Sequence, residues 1–238
     1  VSFTVDGVRR SAVLVVPSAS ASPHPLVFVF HGHGGAGAFI ERRVDIERLW
    51  PDAIVVYPDG LAGHTSQNDP TGAEPGWQTR VGESDDRDLA FFDAMLATLR
   101  ADLPVDDDRV YLIGHSNGSQ FASLVLAERG AAIAAIANIA AQPGPRLLAD
   151  APMRSRFMVM GEEDQVVPYA VQQRSIPLVE AQLGADPEQA SVDGFLRIEP
   201  AAGNVELAVF VHPGGHEIPA AVPPLVVEFF RRHTRNDV

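Results

Sequence analysis

The sequence predicts an α/β domain: a mainly parallel central sheet with helices on both faces. Three observations point there. Short, largely apolar runs at residues 26–30, 53–57, 110–113, 133–139, 157–160 and 205–211 read as strands, and continuous apolarity is what burial on both faces of a sheet selects. Most of these runs are separated by segments with apolar residues at helical spacing, as crossovers between parallel strands require. One strand–helix junction also carries Gly114-His115-Ser116-Asn117-Gly118, a serine on a sharp turn between two glycines.

The composition bounds the rest. A chain of 238 residues with 46% hydrophobic and 21% charged residues suits a single domain over 1–238 with a sizeable core. No apolar run approaches the roughly 20 residues that span a bilayer. The formal net charge of −13 argues against nucleic acid and anionic membrane surfaces as partners, and nothing in the sequence sets the oligomeric state. All 18 basic residues are arginine, which reads as a coding or habitat bias. Cysteine is absent, so disulfides, thiolate catalysis and cysteine metal sites are excluded. The chain opens at Val1 with no signal-like segment, as a mature secreted form or a trimmed one would.

In chain order, residues 3–8 and 11–16 flank Asp6-Gly7, a hairpin dipeptide, and predict two antiparallel strands. Residues 17–25 are rich in Pro, Ser and Ala and predict a loop before the strand at 26–30. Residues 38–50 predict one helix that ends before Pro51, and 53–57 a buried strand closed by Pro58-Asp59-Gly60. Residues 59–84 show no periodicity, and a loop of that length inside a compact domain is usually functional. It holds Trp77, either the wall of a pocket or a core anchor that pins the loop. Asp85, Asp86 and Asp88 precede an amphipathic run from Leu89 to Leu99 and predict acidic capping of a helix start. Helix-like spacing resumes after the Ser116 turn. Residues 141–154 predict a Pro-containing loop, and 169–183 a helix interrupted or started by Pro177. Residues 184–204 are turn-rich and unplaced, and a helix over 218–232 closes the chain.

Chemistry concentrates after strand ends. The Gly-X-Ser-X-Gly turn is the nucleophile-elbow pattern, whose glycines spare the crowded turn a Cβ and whose helix N-terminus faces the serine. His31-Gly32-His33-Gly34-Gly35 follows an early strand and matches an oxyanion loop, with N–H donors from the His33 region and from Asn117. Two histidines two apart without a third ligand in pattern make a metal site a poor alternative. Asp164, ahead of Glu162 and Glu163, is the carboxylate best placed to orient a histidine. His216, after Gly214-Gly215, is preferred to His212 as the base. Ser116, Asp164 and His216 then form the catalytic set, with Trp77 and His115 as candidate substrate contacts. That set needs no metal or organic cofactor.

These motifs, with Tyr57-Pro58-Asp59-Gly60, Gly76-Trp77-Gln78, Asp86-Arg87-Asp88-Leu89-Ala90-Phe91-Phe92 and Val167-Pro168, give the chain its resemblance. From residue 10 to 232 it resembles the polyhydroxybutyrate-depolymerase-like and feruloyl-esterase-like branch of the α/β-hydrolases. The resemblance implies the α/β-hydrolase fold, a serine esterase acting through an acyl-enzyme, and a secreted or periplasmic protein, a cytoplasmic one being left open. It also implies a small or oligomeric ester as the partner, with short acyl or hydroxycinnamoyl acid parts. Polyester depolymerase is the alternative, and an inactive binding protein on the same fold is another. Two departures stand out. Ser119 replaces a glycine common in relatives, and the cysteines of many secreted relatives are absent.

Overall fold

The computed structural model describes residues 1–18, 23–63 and 69–237. The loops expected at 17–25 and 59–84 therefore fall partly on residues 19–22 and 64–68, outside the described residues.

Strands β1 (Ser2–Val5) and β2 (Val8–Val15) form the expected hairpin, with Asp6 and Gly7 both at positive φ. Then come β3 (His24–Phe30), α1 (Gly37–Val44), α2 (Ile46–Leu49) and β4 (Ile54–Pro58). The single helix expected over 38–50 is two, because Asp45 between them adopts a left-handed conformation (φ 47°). The 59–84 segment contains a small ladder of β5 (Leu61–Ala62) with β6 (Pro75–Gly76). Next are α3 (Arg87–Asp102), β7 (Val105–His115), α4 (Asn117–Arg129) and β8 (Ala135–Ile139). Helix α5 (Pro145–Asp150) occupies part of the expected 141–154 loop and leads to β9 (Ser155–Gly161). Helices α6 (Tyr169–Gln172) and α7 (Ile176–Leu183) divide the 169–183 segment, with Pro177 in the first turn of α7, where its missing N–H is harmless. The unplaced 184–204 stretch holds β10 (Ser191–Asp193) and β11 (Leu196–Pro200), followed by β12 (Glu206–His212) and α8 (Val222–Arg231).

Among the described residues the main sheet has ten strands in the order β1-β2-β4-β3-β7-β8-β9-β12-β11-β10. The pairs from β4 through β12 are parallel, and the two edges are antiparallel. Period-2 alternation divides the core. Val27 and Val29 face α1, α2 and α8, whereas Leu26, Phe28 and Phe30 face α3 and α4. A third cluster packs Met158, Met160, Leu207 and Val209 against Leu148, Val179 and Leu183. The parallel strands thus end side by side, so the loops after β3, β7, β9 and β12 share one rim of the sheet.

The acidic residues before α3 do not cap it. Asp85 and Asp86 have positive φ, and no side chain caps the helix. Asp88 is fully buried, accepts from the Gln78 N–H at 2.9 Å and pairs with Arg10 at 2.9 Å. It ties the 76–78 loop to the sheet edge instead.

The carboxyl-terminal segment is clasped at the start of β9, one strand length from that rim. The His233 ring is buried, with Nδ1 3.1 Å from Ser155 Oγ and 3.0 Å from Asp237 Oδ2, and Nε2 3.1 Å from Glu206 Oε2. The His233 hydrogen bond, helped by Arg232, draws Glu206 down to about 2 from an ordinary 4.5. A carboxylate depressed on folding stabilises the fold above its unfolded value, and that contribution is lost as pH falls from about 4.5 towards 2. Glu206→Gln should therefore lower stability near neutrality by about 1–3 kcal/mol and flatten the acid loss. Denaturant unfolding at several acidic pH values checks this; parallel pH dependence in the two proteins would count against the clasp.

Candidate active site

Strand β7 runs straight into the serine turn. Ser116 sits at φ 55°, ψ −121°, sparsely populated backbone for a residue with a Cβ. Its N–H is held by the Ile139 carbonyl at 2.8 Å, and α4 begins at Asn117. The two flanking glycines are fixed by close approach. A Cβ on Gly114 would run into the Gly118 carbonyl and the Ser119 Cα, and one on Gly118 into the carbonyls of Phe30 and His31. Ser119 does not crowd the turn with its side chain. Its buried hydroxyl donates to the Ala141 carbonyl and accepts from Asn138, which also accepts from the fully buried Arg156.

The structure brings Ser116, His216 and Asp164 together. His216 Nε2 lies 2.8 Å from Ser116 Oγ, and His216 Nδ1 lies 2.8 Å from Asp164 Oδ2. Asp164 is buried and accepts from the N–H groups of Val166 and Val167 at 2.8 Å and from Gln172 Nε2 at 2.9 Å. A carboxylate serving as acceptor on every other side takes a proton donor from the histidine too. Nδ1 then carries the ring proton, and Nε2 accepts from the Ser116 hydroxyl. Glu162 and Glu163 are exposed, and their backbone N–H groups tie the β9 end to the carbonyls of His212 and Gly214. His212 is buried and accepts from the Gly214 N–H at 3.1 Å, so it braces the turn that presents His216. Gln172 was not identified from the sequence; it sits in a four-residue helix eight positions beyond Asp164 and has no motif of its own.

His33 and Asn117 both border the cavity at Ser116. The loop carrying His33 is rigidly held. His31 accepts from the Gly60 N–H through Nε2 and contacts the Gly32 carbonyl through Nδ1, and burial lowers its pKa. Gly34 N–H donates to the Pro75 carbonyl at 2.7 Å. His33 Nε2 lies 3.4 Å from Asp69, whose pKa falls to about 2, chiefly through the Glu74 N–H it accepts.

Trp77 is the core anchor and not a pocket wall. It is fully buried between Phe30 and Phe121, its indole N–H donates to the His31 carbonyl at 2.9 Å, and it does not line the cavity. The Asn117 side chain grips its backbone from both sides, accepting from Trp77 N–H at 2.7 Å and donating to Trp77 carbonyl at 2.9 Å. Contrary to the expected substrate contact, the Trp77 side chain lies behind the cavity lining. His115 does line the cavity, its ring centroid 5.1 Å from that of His216. Burial, then the neighbouring His216, lowers its pKa to about 4, which keeps it neutral near pH 7.

The cavity over Ser116 measures about 1150 Å³. Its rim includes the exposed Phe39 and Val166, two arginines, Arg43 and Arg80, and two glutamates, Glu83 and Glu217.

No protein-family model and no curated protein matches the sequence. Solved structures do match. The esterase PE8 is 22% identical with a TM-score of 0.64, covering 93% of this chain and 98% of that one. The Bacillus cereus carboxylesterase is 16% identical with a TM-score of 0.62, covering 94% of each chain. The acetyl xylan esterase from Aspergillus awamori is 16% identical with a TM-score of 0.67, covering 93% of each. With the sheet order above, these likenesses show the α/β-hydrolase fold.

Trp77→Ala should cost about 3–5 kcal/mol of stability, as removal of a fully buried indole does, and should loosen the contact between the 31–35 loop and α4. Thermal or denaturant unfolding reads this. A stable variant with altered substrate preference alone would restore Trp77 to the pocket.

Proposed function

We propose that the chain is a serine ester hydrolase that works through an acyl-enzyme on soluble esters with short acyl or aromatic acid parts. The carrying observation is the unbroken relay from Ser116 Oγ through His216 to Asp164, with 2.8 Å at each step. His216 Nε2 takes the hydroxyl proton as Oγ attacks the ester carbonyl carbon. Asp164 holds the ring in the tautomer that can accept and stabilises the imidazolium that results. The N–H groups of Asn117 and of the His33 region receive the oxyanion. The tetrahedral species collapses when His216 returns the proton to the departing alcohol. Water, activated by the same ring, then frees the acid and restores Ser116. No step calls on a metal or organic cofactor. The esterase names among the structural neighbours agree with this reading.

Polyester hydrolysis is the second reading, and one observation favours it. Phe39 and Val166 stand 64% and 55% exposed at the cavity, an apolar lip where a polymer chain would rest beyond the scissile ester.

Ser116→Ala should lower kcat by on the order of 10⁴–10⁶-fold with the fold intact, and Asp164→Asn by about 10⁴-fold. Steady-state hydrolysis of p-nitrophenyl acetate and methyl ferulate, beside weight loss of a polyhydroxybutyrate film, measures both the mechanism and the choice between readings. Fluorophosphonate labelling of Ser116 separates an enzyme from a binding protein. Undiminished turnover in folded Ser116→Ala would remove the mechanism, and film loss without small-ester turnover would favour the polymer. Because His216 must be neutral to act, the rate should rise with pH and then level; a rate flat into strong acid would point to a carboxylate base.

A further inference from the structure

Four charged side chains border the cavity, and they are not equivalent. Glu83 accepts from the N–H and hydroxyl of Thr79 and faces Arg80 at 4.0 Å, so those two charges offset each other. Glu217 is exposed beside His216. Arg43 has no carboxylate within 4.0 Å among the described residues. Its only hydrogen bond there runs from Nη2 to the Ile218 carbonyl, at 3.1 Å. Arg42, its neighbour in the last turn of α1, lies instead over the exposed Phe39 ring, 4.9 Å away. Arg43 is thus an exposed guanidinium held through one N–H group at the cavity edge, with others left to offer.

Its tether connects it to the loop of the base. Ile218 lies two residues beyond His216, the ring that protonates the departing alcohol. A cation anchored there is tied to the loop that carries the ring serving the leaving group. It is also near enough for its charge to press on the His115 ring. An anionic substrate meets at the cavity edge a cation that no carboxylate within 4.0 Å neutralises among the described residues. A guanidinium fork suits a planar carboxylate.

We infer that Arg43 is a specificity-determining residue that receives a carboxylate on the alcohol part of the ester. This rests on the esterase reading above and narrows it to esters of acidic alcohols or phenols. It needs no new bond-making step, since the carboxylate is bound and leaves with the alcohol.

The test compares 4-acetoxybenzoate with phenyl acetate, which differ by the carboxylate on the leaving group. The readout is the ratio of their kcat/KM values, so a general effect of displacing the 216–218 loop cancels. Arg43→Gln should lower the ratio by roughly 5- to 20-fold, between the worth of an exposed ion pair and of a charge-assisted hydrogen bond sheltered from water. Arg43→Lys should fall between, and Arg80→Gln should change the ratio little. An unchanged ratio in Arg43→Gln overturns the inference. So does a loss that instead appears with p-nitrophenyl hemisuccinate relative to p-nitrophenyl butyrate, where the charge is on the acyl side. Calorimetric binding of 4-hydroxybenzoate against phenol gives an answer independent of turnover. Tighter binding of the acid, lost in Arg43→Gln, supports the site even if both esters resist hydrolysis, in which case only the esterase reading falls. Equal affinities in the unaltered protein overturn the site whatever the turnover.

Discussion

The approach of the β7–α4 turn to the end of β3 is the constraint on which the rest depends. Carbonyls of Phe30 and His31 come so near Gly118 that no side chain fits, and the start of α4 presses equally on Gly114. Ser116 between them is left at φ 55°, a conformation that costs about 1–3 kcal/mol. The surrounding structure offsets that cost by burying β7 and α4 in the core, with Val110, Leu112, Phe121 and Val125 essentially inaccessible. The strain is what lifts the serine out of the sheet. A relaxed turn would carry Ser116 away from His216, whose ring reaches it from a loop 100 residues further along.

Each partner of Ser116 is fixed by a different means. The His216 turn is knitted to the end of β9 by backbone bonds from Glu162 and Glu163. Asp164 is held by two N–H groups and by Gln172, leaving one oxygen shared between that amide and His216. The 31–35 loop is fixed by Trp77, which bonds to His31 on one side and to Asn117 on the other. Asn117 thus serves twice: its backbone opens the helix beside Ser116, and its side chain locks the loop opposite. That redundancy holds the three side chains in place relative to one another, as a preorganised site requires.

The parallel strands were legible because burial on both faces leaves one kind of sequence, unbroken Val, Ile, Leu and Phe. The turns of the candidate site were legible because glycines and a lone serine or histidine stand out against those runs. Elements whose stability comes from elsewhere were not. β10 and β11 form an edge hairpin whose residues, apart from the buried Glu199, are exposed or half-exposed, with no apolar run to mark them. The α1–α2 break depends on Asp45 entering left-handed space, which aspartate does more readily than most side chains but which no spacing pattern announces. Trp77 could be read either as a wall or as an anchor, since a lone indole in a loop carries no sign of which face of the loop is inside. Gln172 was invisible because an amide that orients a carboxylate leaves no spacing pattern.

The acidity of the chain takes on a meaning that composition alone did not supply. Irregular loops gather at the rim after β3, β4 and β9, and their N–H groups must find acceptors once water is excluded. Short carboxylates provide them. Asp59 accepts from the Gly37 N–H and the Ser11 hydroxyl, Asp69 from Ala73, Glu74 and Thr71, Asp88 from Gln78, and Asp164 from Val166 and Val167. Each aspartate organises a loop as a helix or strand ladder would. Part of the negative charge near the site is therefore spent inside the protein's own backbone and does not face the cavity. Net charge consequently says little about what the cavity meets; the charged side chains at its edge, Arg43, Arg80, Glu83 and Glu217, bear on that directly.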